Sequence, residues 1–190
     1  MKKLYLGLRP KKGTVHYPVI QTRYLGNIEP ALKLWPKISH IIFTSQTAVH
    51  FWPGPFDKIA IAIGPKTASS LLQKGGHPLL APEPTQEGVI SLLKTIPKGC
   101  FFWPRSTLAR PLLIDYWTEN QIDFVSIPLY ETRMQIKTPI PHLEEFDEII
   151  FTSPSTVHAF LQIFGSLPKN KTLTAIGPVT KNHLLWYTEN

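Results

Sequence analysis

The sequence predicts an α/β protein of two similar parallel-sheet domains, flavodoxin-like lobes joined by a two-stranded hinge, with one domain discontinuous. Two observations predict this architecture. Three segments occur twice, in the same order, at separations of roughly 110 residues. Within each copy, short apolar runs alternate with helix-like segments, which is typical of a parallel sheet covered by helices. A repeat of this length is a whole folding unit, so the pattern indicates a duplicated domain.

The repeated segments form three pairs. In each copy an extended segment with Thr-Arg comes first, followed by an apolar run that ends in Thr-Ser and then by one that ends in Gly-Pro. The pairs are PVIQTRY (18–24) with PLYETRM (128–134), IIFTSQTAVHFW (41–52) with IIFTSPSTVHAF (149–160), and IAIGPKTASSLL (61–72) with TAIGPVTKNHLL (174–185).

The spacing of apolar runs and turn residues defines the elements of the first copy. We expect strands at residues 40–44, 58–63, 78–81, 99–104 and 124–128, and helices at 46–51, 66–74, 86–95 and 107–120. The second copy stops soon after its Gly-Pro helix, but the N-terminal LYLGLRP is similar to CFFWPRS and can supply a missing strand. The predicted domains are therefore a discontinuous, pared-down one (1–17 with 135–190) and a continuous one (25–127), with hinge strands at 18–24 and 128–134.

Composition limits the possible classes of protein. The 190 residues are 43% hydrophobic, which suffices for ordinary cores, and no apolar run is long enough for a membrane span. We therefore expect a soluble, cytoplasmic protein. The single cysteine, Cys100, excludes an internal disulfide and is expected to be a structural strand residue. The histidines have no metal-ligand spacing, so we predict no metal site.

A net charge of +7 favours a polyanionic ligand on electrostatic grounds. Nucleic acid is one such ligand, but the basic residues are spread along the chain and no recognition motif is present, so we predict no nucleic-acid partner. A basic surface without any partner remains an equal alternative. GPKT lacks the glycines of a phosphate-binding loop, which argues against a nucleotidase.

The repeated turns are candidate anion sites, because a strand that turns directly into a helix presents a hydroxyl and unpaired backbone N–H groups. The alternative is that these residues only cap helices, as in every α/β protein. A cleft between two such lobes is the expected ligand site. The turn residues concerned are Thr44, Ser45, Gly64, Thr67, Ser153, Gly177 and Thr180.

Taken in order, these motifs resemble uroporphyrinogen-III synthase. The resemblance covers nearly the whole chain and rests on the Thr-Ser turns, IGPKTASSLLQKGGHPLLAPEPTQEGVISLL, FFWPRSTLARPLL, IPLYETR and IGPVT. It implies an enzyme without a cofactor that closes hydroxymethylbilane, a linear tetrapyrrole with eight carboxylates, into uroporphyrinogen III. In that reaction the last pyrrole ring is inverted and water is lost. The alternative is a two-lobed binding protein of the same fold without turnover.

The resemblance also implies site residues. Tyr130 occupies the position of a hinge tyrosine and is the candidate proton donor, with a packed hinge aromatic as the alternative. The positions implied to bind substrate are Arg9, Thr44, Ser45, Gly64, Thr67, Arg105, Ser106, Ser153, Pro154, Ser155, Gly177 and Thr180. We interpret His50 and His158 as structural residues that point back toward their sheets.

Two departures from the family pattern concern the discontinuous domain. No helix fits into LRPKKGTVHYPV, and the chain stops at HLLWYTEN. We therefore expect this domain to expose apolar sheet surface or an edge. We expect a monomer, with association through the shortened lobe as the alternative.

Overall fold

The computed structural model describes residues 1–189. The chain forms two compact units: unit 1 contains Met1–Thr22 and the described chain from Thr132 onward, and unit 2 contains Arg23–Glu131. The chain therefore passes between the units twice. No helix within residues 1–189 combines the length and apolar character that a membrane crossing requires.

The elements of the described chain follow in sequence order. They are β1 (Lys3–Tyr5), β2 (Val15–His16), β3 (Ile20–Tyr24), α1 (Glu29–Leu34), β4 (Ile38–Phe43), α2 (Gln46–Phe51), β5 (Ile59–Ala62), α3 (Pro65–Leu72), β6 (Pro78–Leu80), α4 (Gln86–Leu93), β7 (Cys100–Ser106), α5 (Leu112–Glu119), β8 (Phe124–Met134), a 3-10 turn (Leu143–Glu145), β9 (Glu148–Phe151), α6 (Pro154–Phe164), β10 (Thr172–Ala175) and α7 (Pro178–Glu189).

The larger sheet has the strand order β3-β8-β7-β4-β5-β6. Strands β4 to β8 run parallel. The outer strand β3 lies beside β8, and the bonds from Leu25 N to Leu129 O and from Gln135 N to Val19 O follow an antiparallel pattern. Both passages between the units lie within these two strands.

Helices cover both faces of the parallel strands in unit 2. In β4, Ile41 and Phe43 pack in one core with residues of α2 and α3, whereas Ile42 packs in a second core with residues of α4 and α5. Strands that are covered on both faces are near-continuous apolar runs, which explains why these strands were predictable. Each fully buried side chain of this size contributes about 1.5–3 kcal/mol to folding.

Unit 1 has a smaller, parallel sheet with the order β10-β9-β1-β2. The N-terminal strand β1 lies between β9 and β2, as β7 lies between β4 and β8 in unit 2. Helices α6 and α7 contact each other. Their apolar residues form one core with Leu4, Ile149 and Phe151.

The other face of this sheet carries polar side chains. Lys3 Nζ lies 2.7 Å from Glu148 Oε2, and Thr174 Oγ1 donates to Glu148 Oε1 at 2.6 Å. Within the described part of unit 1 no helices correspond to α4 and α5. The expectation of exposed apolar sheet surface or an edge therefore holds only in part. KLY and TLTA alternate polar with apolar residues and place the polar ones on this face, but Val15 in the outer strand β2 is 41% exposed.

Two expectations about helices in unit 2 were also wrong. The helix predicted at residues 107–120 begins only at Leu112, since Pro111 is its N-cap and a proline disfavours helical geometry in the residue before it. Sequence analysis also missed α1, which has a proline in its first turn and follows a turn at Gly26 with φ of 79°.

Candidate functional site

The carboxyl ends of β4, β5 and β7 meet at one edge of the unit 2 sheet, beside the middle of β8, and we call this edge the unit-2 corner. Strand order places β5 on one side of β4 and β7 on the other, so the chain connections diverge between β4 and β7. Open α/β sheets bind ligands at such switch points. The predicted site residues at this corner are Thr44, Ser45, Gly64, Thr67, Arg105, Ser106 and Tyr130.

The hydroxyl of Tyr130 lies in a polar cluster at the unit-2 corner. Its oxygen is 2.9 Å from Ser45 Oγ, and Ser106 pairs with Tyr130 across the two strands. Ser45 is the N-cap of α2 and accepts from Ala48 N at 3.0 Å. Because Ser45 Oγ already accepts there, its proton is available for the tyrosine oxygen.

The environment of Tyr130 keeps its phenol protonated. The residue is 7% exposed, and burial raises its pKa, while hydrogen bonds with Ser45, Ser106 and Thr47 oppose part of that shift. The ring packs in an apolar core and lies 5.9 Å from the Phe51 ring. Tyr130 therefore combines a packed aromatic ring with a hydroxyl among hydrogen-bonding partners.

Arg105 is half-buried and fixed by its neighbours. Its Nε donates to Ser126 Oγ at 3.0 Å and its Nη1 to Ser106 O at 3.1 Å. Its guanidinium lies over the Trp103 ring, 5.8 Å from the centroid. Nε1 of the same tryptophan donates to Thr44 Oγ1 at 3.0 Å, so the Thr44 hydroxyl helps to position Trp103.

Gly64 and Thr67 lie at the end of β5, next to the hydroxyl cluster. Gly64 is the N-cap of α3, and a Cβ there would lie 3.1 Å from Pro84 Cβ. Its extended backbone needs no left-handed φ, so the close approach of Pro84 is the reason for glycine. Thr67 is 4% exposed.

The corresponding edge of unit 1, the unit-1 corner, is formed by the ends of β9, β10 and β1. Ser153 is the N-cap of α6, and Pro154 follows in the first turn. The hydroxyl of Thr156 accepts from the backbone N–H of Ser153 at 3.2 Å. Ser153 Oγ faces the backbone N–H of Thr156 in a reciprocal capping box, but this buried oxygen makes no hydrogen bond of regular geometry among the described residues.

The remaining predicted residues of unit 1 differ in exposure. Gly177 precedes α7 with φ of 89°, a conformation that favours glycine, and Thr180 is 3% exposed. Ser155 is half-buried, whereas Arg9 is exposed. Arg9 and Arg105 therefore lie in different surroundings despite their similar sequence contexts.

The structure adds Thr47 to the unit-2 corner. Sequence analysis missed it, although the repeat contained the signal, since Thr47 aligns with the predicted Ser155. His50 and His158 are both exposed, so the expectation that they point back toward their sheets was wrong, while their structural role stays a prediction.

An open cavity of about 630 Å³ lies at the opposite, amino-terminal edge of the unit 2 sheet. Its lining includes Lys37, Lys98, Cys100 and Asp123. Burial, and then the carboxylate of Asp123, raise the pKa of the Cys100 thiol. A protonated, half-buried thiol agrees with the structural role predicted for Cys100.

Comparison with solved structures shows the fold. The chain is 20% identical to uroporphyrinogen-III synthetase from Helicobacter pylori 26695, with a TM-score of 0.72 over 99% of this chain and 88% of that one. A mutant uroporphyrinogen III synthase from the extremely thermophilic bacterium Thermus thermophilus gives 20% identity and a TM-score of 0.65, with 98% and 89% covered. A comparison with curated proteins finds no match.

A family model supplies the decisive comparison. The model described as uroporphyrinogen-III synthase HemD matches residues 13–187, which is nearly the whole chain. This match confirms the resemblance drawn from the repeated turns and favours an enzyme over a binding protein without turnover. The chain belongs to the uroporphyrinogen-III synthase family, the cyclising lyases of heme biosynthesis.

Proposed function

We propose that the chain closes hydroxymethylbilane into uroporphyrinogen III and that Tyr130 is its proton donor. The observation that carries this assignment is the Tyr130 hydroxyl, 2.9 Å from Ser45 Oγ, at the unit-2 corner. A phenol can act as a hydrogen-bond donor or as a weak acid at neutral pH.

Tyr130 assists the departure of the substrate hydroxyl. In this proposal Ser45 donates a hydrogen bond to the tyrosine oxygen, which directs the tyrosine proton toward the leaving group. That proton passes to the substrate hydroxyl, which leaves as water, so a cationic azafulvene and a tyrosinate remain. Ring closure by the last pyrrole then releases one proton, which restores the tyrosine, so the reaction consumes no acid overall. A correctly placed general acid contributes about 10²–10⁴-fold to such a step.

Both corners take carboxylates of the substrate in this proposal. The helices α3, α6 and α7 begin there, and helix N-termini favour anions. The buried Ser153 Oγ, which makes no hydrogen bond of regular geometry among the described residues, supports such a role in unit 1, and Arg105 supports it in unit 2. The residues assigned to carboxylate binding are Ser45, Gly64, Thr67, Arg105, Ser106, Ser153, Pro154, Ser155, Gly177 and Thr180, with Arg9 at the rim and Thr44 as a support for Trp103.

The proposal needs one chain and no cofactor. Every group in the hydroxyl cluster belongs to the same unit, which supports action as a monomer. We place the reaction in the cytoplasm, where a single free cysteine is stable.

The test is to incubate the purified chain with hydroxymethylbilane and to analyse the product isomers. The expected product is the type III isomer, formed faster than spontaneous cyclisation. Formation of the type I isomer alone, at the spontaneous rate, would overturn the proposed function.

A further inference from the structure

Two histidines on neighbouring helices of unit 1 form a pair. His158 on α6 and His183 on α7 place their Nε2 atoms 3.0 Å apart. Their ring centroids are only 4.6 Å apart, with an interplanar angle of 55°. Two rings whose Nε2 atoms pointed straight at each other would have more distant centroids. Both rings are therefore tilted off the line between the nitrogens.

We propose that His158 and His183 bind a divalent transition-metal ion such as Ni²⁺ or Zn²⁺. Metal–imidazole bonds are about 2.0–2.1 Å long, so two nitrogens bound to one ion lie about 2.9 Å apart at a right angle and about 3.3 Å apart at the tetrahedral angle of Zn²⁺. The observed 3.0 Å is closer to the right angle, so Ni²⁺ fits with less adjustment than Zn²⁺, and the tilt of the rings is one that a shared ion also requires. Imidazole is a preferred ligand of Zn²⁺, Cu²⁺ and Ni²⁺.

Tyr187 supports the pair from the same helix as His183. Its hydroxyl lies 3.3 Å from Nδ1 of His158, and its ring contacts both imidazoles edge-on. Metal-binding histidines usually donate their second N–H to an oxygen, which fixes the tautomer and orients the ring. With Nδ1–H donating to Tyr187, Nε2 of His158 keeps its lone pair for the ion.

The surroundings favour an exchangeable ion. His158 is exposed and His183 half-buried, so water can fill the remaining coordination positions. No group of three or more His, Cys, Asp or Glu suited to a metal occurs among the described residues, and the protein therefore supplies two ligands.

The duplication shows that the pair is specific to unit 1. His50 occupies the position of His158 in the other copy, but the counterpart of His183 is Ser70. The hydroxyl of Ser70 donates to Lys66 O at 3.1 Å within its own helix. Unit 2 thus keeps one histidine of the pair, and His50 is a matched control.

An ion bound here would connect α6 to α7. Both helices begin at the unit-1 corner, which the proposed function assigns to substrate carboxylates. Because the ion binds the folded pair and not the separated helices, it would stabilise unit 1 by mass action. Sequence analysis predicted no metal site because the two histidines are 25 positions apart in the chain.

The test is calorimetric titration of the tag-free, chelator-treated protein with NiCl₂, and separately with ZnCl₂. We expect one ion per chain and a thermal midpoint that rises with ion concentration. His158→Ala and His183→Ala should each weaken binding about 100-fold, and Tyr187→Phe about 10-fold. His50→Ala should bind like the wild type.

Circular dichroism and turnover of hydroxymethylbilane establish that each variant is folded, since neither histidine belongs to the proposed catalytic corner. The proposal is overturned if the wild type shows no saturable binding. It is also overturned if the double variant His158→Ala/His183→Ala still binds, or if His50→Ala loses the ion equally.

Discussion

The two units place the same Thr-Ser turn at the end of a central strand, but they use the serine differently. In unit 2, Ser45 Oγ accepts from Ala48 N and contacts Tyr130. In unit 1, Ser153 Oγ has a capping contact with the backbone of Thr156 but no hydrogen bond of regular geometry among the described residues. Alignment of PVIQTRY with PLYETRM puts Ile20 at the position of Tyr130. Duplication therefore supplied the same scaffold twice, whereas the candidate proton donor occurs in one copy.

The sheets differ as much as the turns. Unit 2 buries both faces of its strands in two apolar cores. Unit 1 has one apolar core, and its other face carries the network of Lys3, Glu148 and Thr174 beside the buried Ile150. Three pairs of matched positions test these differences, in decreasing order of expected effect, and the polar face of unit 1 is tested by itself.

Trp103 and Tyr5 are matched by the register of their strands, but Trp103 is 0% exposed and Tyr5 is half-buried. Trp103→Ala should lower the free energy of unfolding by about 3–5 kcal/mol, because it leaves a cavity and removes the donor to Thr44. Tyr5→Ala should cost clearly less. Urea unfolding of both variants tests this. Equal losses of unfolding free energy would mean that the polar sheet face of unit 1 stabilises its unit as much as the second apolar core stabilises unit 2.

Gly177 and Gly64 precede equivalent helices. Gly177→Ala should destabilise the protein by about 1–2 kcal/mol, the cost of a left-handed conformation for a residue with a Cβ. Gly64→Ala requires only a shift of a few tenths of an ångström from Pro84 and should cost less. Thermal unfolding compares the two variants, and a larger loss for Gly64→Ala would contradict this ranking.

Ser45→Ala and Ser153→Ala separate the two roles of the turn. Loss of the Ser45 cap should cost about 1 kcal/mol, together with lost turnover, since Tyr130 loses its partner. Ser153→Ala removes only a capping contact without regular hydrogen-bond geometry, so stability should fall less than in Ser45→Ala, while KM should rise. Denaturation and steady-state kinetics measure both effects. If Ser153→Ala lost as much stability as Ser45→Ala, the two serines would not differ in their contribution to folding, contrary to this prediction.

The polar face of unit 1 should respond to acid. Hydrogen bonds from Lys3 and then Thr174 hold the pKa of Glu148 below its ordinary value. A carboxyl with a lowered folded-state pKa adds stability above its ordinary pKa of about 4.3, and this stability is lost as the pH falls below that value. Glu148→Gln should therefore flatten the decline in stability on acidification. Urea unfolding from about pH 6 to pH 3 tests this, and an unchanged slope would exclude Glu148 as the cause.

Much of the fold was predictable because covered strands and repeated turns leave local signals. The apolar runs IIF and IAIA and the Thr-Ser and Gly-Pro turns indicated the α/β class and the family, and both predictions were confirmed. The alternation in KLY and TLTA also indicated a polar face of the unit 1 sheet. Its interpretation required knowing that the helices of unit 1 cover only the other face. The pairing of His158 with His183 had no local signal, because it depends on how α6 packs against α7.

The sequence predicted where the candidate site residues lie along the chain, but it did not predict which of them contact one another. The sequence placed Ser45 at a strand end and Tyr130 in a hinge strand, but it did not predict the 2.9 Å contact between them, which depends on the register of β8 against β7 and of β7 against β4. Their roles in substrate binding and proton transfer stay predictions.

The most direct measurement is the rate of type III product formation by Tyr130→Phe, with Tyr116→Phe on α5 as the control. The account predicts a fall of about 100-fold for Tyr130→Phe, with unchanged folding, and a wild-type rate for Tyr116→Phe. A wild-type rate for Tyr130→Phe would contradict the claim that catalysis depends on the Tyr130 hydroxyl, which occurs in only one copy of the duplicated extended segment.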